Sequence, residues 1–197
     1  MSCLHVLLLV VSTVFSEPTP TLMPTPTILD EVAAVVDNEV ITSLQMEREI
    51  RLTLALREGP ASAVASLAQD VWRLMRGYVL NQRLVALEVR KLGGVNLSEQ
   101  DVTARCTMLV ERFDSHDVYM DFLTGYGLSE ASVRMFLRRD LENNIFLRDR
   151  LRLHTAESES DRRRNQEAME RFLKTLRSHV RILLADDSGE LQQMTNF

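Results

Sequence analysis

Near its C-terminal end the chain carries a run, HVRILL (His179 to Leu184), in which Val180, Ile182 and Leu184 alternate with Arg181 and Leu183. A period of two is the mark of a half-buried β-strand. One strand cannot stand alone, because its backbone donors and acceptors need partners once they leave water. The cheapest partner in this chain is Val32 to Ile41, where two β-branched runs, Val32 to Val36 and Val40 to Ile41, flank the turn-forming pair Asp37 and Asn38. The two ends of the domain are therefore expected to meet, and the segments between them must close over the resulting sheet.

Those segments read as helices. Thr42 can cap the first, with Gln45 three residues on to complete a capping box, and this helix is expected to run to about Arg57. Gly59 and Pro60 end it, and a long helix is expected next, with Val64, Val71, Tyr78, Val85 and Leu92 recurring every seven residues. Leu67, Leu74 and Met75 widen that stripe, and Gly93 and Gly94 stop the helix. Ser98 and Asp101 begin another helix, whose Val102, Cys106, Leu109 and Phe113 share a face, so that Cys106 is expected to be buried. Ser115 opens a short helix through Leu123, Gly125 and Gly127 bracket Tyr126 in a turn, and Ser129 opens a long helix toward Leu153 with Val133, Leu137 and Leu141 inward. His154 to Gln166 is polar throughout and reads as a loop or a solvated helix end. A last helix carries Met169, Phe172, Leu173 and Leu176 ahead of the strand. The fold class is thus mainly α, a bundle of about five or six helices with a small β-hairpin joined by the C-terminal strand.

The length of 197 residues suits one compact domain. A net charge of -5 provides no basic field to hold nucleic acid or an anionic membrane surface, so no nucleic-acid partner is expected. Residues 1–16 (MSCLHVLLLVVSTVFS) lack acidic side chains, place an apolar run at Leu4 to Val11, and set Val14 and Ser16 ahead of a possible cleavage before Glu17. This reads as a secretory signal peptide, although the usual Lys or Arg near the start is missing. The apolar run is far shorter than the roughly 20 residues a membrane span needs, so no stable membrane insertion is expected after cleavage. Residues 17–28 form a spacer that holds four of the five prolines and is expected to be disordered. The folded domain is expected over 29–184, with a flexible acidic tail at 185–197.

Little in the sequence points to chemistry. His5, His116, His154 and His179 are scattered, with no pair at metal-ligand spacing. Cys3 precedes the expected cleavage, which leaves Cys106 without an intramolecular partner, and its place on an apolar face argues against a reactive thiol. Gly125 and Gly127 lack the third glycine and the preceding strand of a dinucleotide fingerprint. Arg148, Arg150, Arg152 and the run Asp161 to Arg164 could touch phosphates in a helical, nucleic-acid-binding adaptor. Glu157, Glu159, Asp161 and Glu167 interleave with them, however, and favour a solvated, salt-bridged face. No cofactor, metal or catalytic residue is expected.

Four segments together resemble the SurA-type periplasmic chaperones: LDEVAAVVDNEVITSLQME (Leu29 to Glu47), LMRGYVLNQRLVALEVRKLGGVNLSEQDV (Leu74 to Val102), GYGLSEASVRMFLRRDLENNIFLRDRL (Gly125 to Leu151) and EAMERFLKTLRSHVRILL (Glu167 to Leu184). They follow the family's order of hairpin, helical region, closing helix and strand. Members of that family usually carry one or two parvulin isomerase domains between the last two segments. Here thirteen residues, His154 to Gln166, occupy that place, and a domain needs about 40 residues or more to fold without metals or disulfides.

The resemblance implies a non-catalytic chaperone of the Gram-negative periplasm whose partners are unfolded outer-membrane or exported polypeptides. Candidate client-binding residues are Trp72, Met75, Met120, Phe122, Leu123, Tyr126, Met135 and Phe136, large side chains near helix ends and turns. The competing reading is that most of them fill the core, as such residues at helical spacing usually do. A homodimer, or a structural subunit or adaptor with one dedicated envelope partner, would use the same kind of surface.

Overall fold

A computed structural model describes residues 30–153, 158–186 and 189–194. The expected signal peptide at 1–16 and spacer at 17–28 lie outside the described residues.

Two short strands open the domain, β1 (Val32–Val36) and β2 (Glu39–Thr42), paired antiparallel with Val36 opposite Glu39. Only Asp37 and Asn38 connect them, and Asp37 takes φ +58, the left-handed conformation that two-residue hairpins require and that Asp tolerates. The C-terminal strand β3 (Ile182–Ala185) lies against the other edge of β1, with Val36 opposite Ile182 and Ala34 opposite Leu184. Asp37 N–H extends the join by donating to the Arg181 carbonyl at 2.8 Å. The ends of the domain meet as the alternation demanded, and Ala34, Val36, Ile182 and Leu184 turn the buried face of the sheet inward.

A fourth strand, β4 (Leu191–Gln193), completes the sheet order β2-β1-β3-β4. It corrects the expectation of a tail from residue 185. Ala185 belongs to β3 and pairs with Leu191 across a turn closed by bonds between Asp186 and Glu190. All three β4 residues are exposed, so the strand is held by its backbone ladder and leaves no apolar alternation to read.

Among the described residues seven helices follow β2 and precede β3: α1 (Ser43–Arg57), α2 (Pro60–Val64), α3 (Gln69–Lys91), α4 (Glu99–Val110), α5 (His116–Gly125), α6 (Glu130–Leu151) and α7 (Glu159–His179). Thr42 caps α1 with the expected box to Gln45, and Ser98, Ser115 and Ser129 cap α4, α5 and α6. Helix α1 is the axis of the bundle. Every residue from Glu49 to Leu56 is buried, which requires neighbours on all sides of the helix.

The expected long helix after Pro60 is divided. Arg51, buried on α1, donates Nη1 to the carbonyls of Ala63 (3.0 Å) and Ala65 (2.6 Å). Ala65 and Ala68 are extended, so a new helix starts at Gln69. The seven-residue stripe is corrected with it: Val64, Val71 and Leu92 are exposed, while Val79, Leu80, Leu84, Val85, Ala86 and Val89 form the packed face. Cys106 is only half-buried. At 100° per residue it sits about 40° round the helix from Val102, whereas Leu109 lies within about 20° of that line, so it falls at the margin of the apolar stripe; Phe113, expected on the same face, lies beyond the end of α4 at Val110. Helix α7 starts earlier than its apolar residues indicate, because Ser158 and Asp161 form a capping box; Glu159 to Gln166 is therefore a solvated helix end.

Candidate functional site

The eight candidate residues do not share one surface. Phe122 and Leu123 are buried, and Phe122 stacks in an aromatic cluster with Phe113 and Tyr126, each centroid 5.3 Å away. These two belong to the core and are withdrawn as surface candidates. Tyr126 is half-buried beneath the Arg51 guanidinium, 5.0 Å from its ring centre, with its hydroxyl 3.4 Å from the Ala63 carbonyl. Met120 is exposed on α5. Trp72 and Met75 are half-buried on α3, and Met135 and Phe136 lie on α6, Met135 exposed and Phe136 half-buried.

An apolar groove with a volume of about 670 Å3 runs between the N-terminal half of α3 and the sheet. Leu74, Tyr78, Leu80, Leu184 and Met194 form its apolar lining, and Asp70, Arg73 and Arg76 bring charge to it. Leu74 is 73% exposed. Trp72 lines an adjacent, smaller groove with Val32, Ala33 and Ala185. Sequence reasoning placed Leu74 in the core stripe and had no means of finding Met194, whose position depends on β4. Burial raises the Tyr78 hydroxyl pKa, an effect that the neighbouring Arg57 opposes. The Arg57 guanidinium lies 4.4 Å from the Tyr78 ring centre.

A second groove opens between α1 and α6 beside Leu128, lined by Leu52, Met135 and Phe136 together with Arg48, Arg83 and Arg139. At its base the Glu49 carboxylate, itself buried, pairs with both Arg83 and Arg139, the latter at 2.8 Å. Arg83 also pairs with Glu39 of β2, which binds Arg90 at 3.1 Å. This network ties β2 to α1, α3 and α6. Desolvation pulls the Arg139 pKa below its ordinary value, and the nearby Arg83 charge acts in the same direction against the pull of Glu49. Deeper still, Asn143 is completely buried and its Nδ2 donates to the carbonyl and side-chain oxygens of Gln82 at 2.9 and 2.8 Å, fixing α6 to α3.

The described histidines stand apart from both grooves: His116 is exposed with its ring 6.1 Å from that of Tyr119, and His179 bonds locally to the Thr175 carbonyl. No helix among the described residues is long and apolar enough to cross a membrane. Comparison with known proteins finds no family model and no curated protein that matches the chain.

Proposed function

We propose that this chain is a non-catalytic, periplasmic binding module for extended, unfolded polypeptide, similar in role to SurA-type chaperones but without their isomerase domains. The observation that carries this reading is the groove beside the N-terminal half of α3. It is predominantly apolar and bordered by a leucine that the fold leaves in water. Leaving Leu74 exposed costs solubility, and that cost is offset where the surface receives a partner. Tyr78 and Met194 supply an amphipathic ring and an adaptable thioether, both suited to side chains of varied shape. The Glu49 network ties α3 to α1, α6 and β2 behind the groove, so binding need not reorganise the domain.

A dedicated adaptor is the second reading, favoured by Asp70, Arg73 and Arg76 along the groove, which could fix the register of a single partner. One experiment separates the two. The purified domain is added at near-stoichiometric ratio to an unfolded outer-membrane β-barrel protein diluted from urea, and light scattering is followed. Suppressed aggregation supports the chaperone; unchanged aggregation, with one protein co-purifying from an envelope extract, supports the adaptor.

A further inference from the structure

The groove between α1 and α6 differs from the one beside α3 in its charge. Three guanidiniums line it, Arg48, Arg83 and Arg139, against a single carboxylate, Glu49. That carboxylate is shared by Arg83 and Arg139, and Arg83 is also paired with Glu39 from outside the groove; the surplus cation is Arg48, which no ion pair within 4 Å joins to an acid among the described residues. Arg48 is nevertheless held in place. Its Nε donates to the Tyr126 carbonyl at 2.8 Å. Its Nη2 occupies the space a side chain would need at Gly127: a Cβ there would lie 2.5 Å away, and the φ of +59 also favours glycine. Arg48 also helps to lower the pKa of exposed Asp30, for which the bonds from Thr42 and Leu44 matter more. Beside these cations lies an apolar wall on which Met135 is 68% exposed. In a chain of net charge -5, a preorganised surplus of guanidinium next to bare methionine calls for a ligand that brings both a carboxylate and an apolar group.

We infer that this groove binds acidic-apolar polypeptide, receiving an Asp or Glu carboxylate beside Arg48 and Arg139 while an adjacent apolar side chain covers Met135 and Phe136. The inference rests on the reading of the chain as a polypeptide binder and adds a preference to it: segments in which carboxylates alternate with large apolar residues are held more tightly than their amide counterparts. A charged acceptor strengthens such contacts roughly twofold in energy over a neutral one, and one to two such bonds correspond to about tenfold in affinity.

The test uses the full chain and two fluorescein-labelled peptides, one alternating Glu with Leu and the other alternating Gln with Leu, titrated by fluorescence anisotropy at low salt. The Glu peptide is expected to bind about tenfold more tightly, with the advantage shrinking as salt is added. Arg48→Gln should abolish the preference while the Gln peptide keeps its affinity; loss of the bond to the Tyr126 carbonyl lowers the melting temperature slightly, and the cooperative transition is kept. Arg48→Lys should restore part of the preference, and Met135→Ser should weaken both peptides. Equal binding of the two peptides, or a preference that survives Arg48→Gln, overturns the carboxylate site and leaves the polypeptide-binding reading intact. Failure of both peptides to bind overturns both.

Discussion

The two halves of α3 lie on one continuous helix yet have opposite fates. From Val79 to Val89 the helix is packed, with Leu80 and Leu84 essentially inaccessible. From Val71 to Tyr78 it runs along the sheet with Val71 and Leu74 in water and a groove at its flank. Both halves carry large aliphatic residues, so composition does not distinguish them. What differs is the surroundings: α1, α6 and α7 all pack against α3, and Asn143 of α6 and Arg177 of α7 bond to Gln82 and Asn81, at the start of the packed half. An apolar helix face becomes core only where other elements reach it, and stays in water where they stop short.

The most severe way to break this contrast is to remove its sheet wall. Deleting residues 180–197 takes away β3 and β4, strands β1 at an edge, and uncovers Ala34 and Val36 while discarding Ile182 and Leu184. Each fully buried aliphatic side chain lost is worth about 1.5–3 kcal/mol, against a total stability of about 5–15 kcal/mol. The truncated chain should lose its cooperative thermal transition by circular dichroism; an unchanged melting temperature would refute the pairing of the two ends.

The same substitution in each half sharpens the comparison further. Leu84→Ala should cost about 2–5 kcal/mol by urea denaturation, as a cavity in a closed core does. Leu74→Ala should change stability by no more than about 0.5 kcal/mol, while weakening the binding of unfolded polypeptide. Equal costs at the two positions would mean that the two halves are not distinct environments.

The smallest effect lies away from both halves. Glu99 of α4 accepts from Arg134 at 2.7 Å and from Arg138, and these bonds hold its carboxyl below the ordinary glutamate range. A depressed folded pKa contributes stability that is present above the unfolded pKa and is lost as pH falls through the folded value. Glu99→Gln should therefore lower the melting temperature slightly at neutral pH, with the difference from the parent chain vanishing in acid and polypeptide binding unaltered throughout. A difference that persists in acid would assign the loss to something other than this carboxylate.

Local chemistry was legible in the sequence. The hairpin turn at Asp37 and Asn38 and the caps at Thr42, Ser98, Ser115 and Ser129 rest on contacts a few residues apart, and the strand at Ile182 was recovered because its alternation demanded a partner. Features set by distant contacts were not legible. The break between α2 and α3 depends on Arg51 reaching the Ala63 and Ala65 carbonyls. The Glu49 network joins charges that look, in sequence, like ordinary solvated positions. Strand β4 has no apolar period, and the Ser158 cap lies amid charges that resemble a loop. The same limit governed the candidate site: Phe122 and Leu123 share their residue type with true surface residues, and only tertiary packing distinguishes them from Met135. Leu74 widened the stripe that suggested core, and is 73% exposed because no element among the described residues covers that side of α3.

Site-specific photo-crosslinking tests the central claim most directly. A benzophenone side chain is placed at position 74, or at Met108, which is also exposed on α4 but lines neither groove, and each protein is irradiated with an unfolded outer-membrane β-barrel protein. Crosslinked adducts are expected from position 74 and essentially none from position 108. Equal yields from the two positions, or adducts from 108 alone, would contradict that claim.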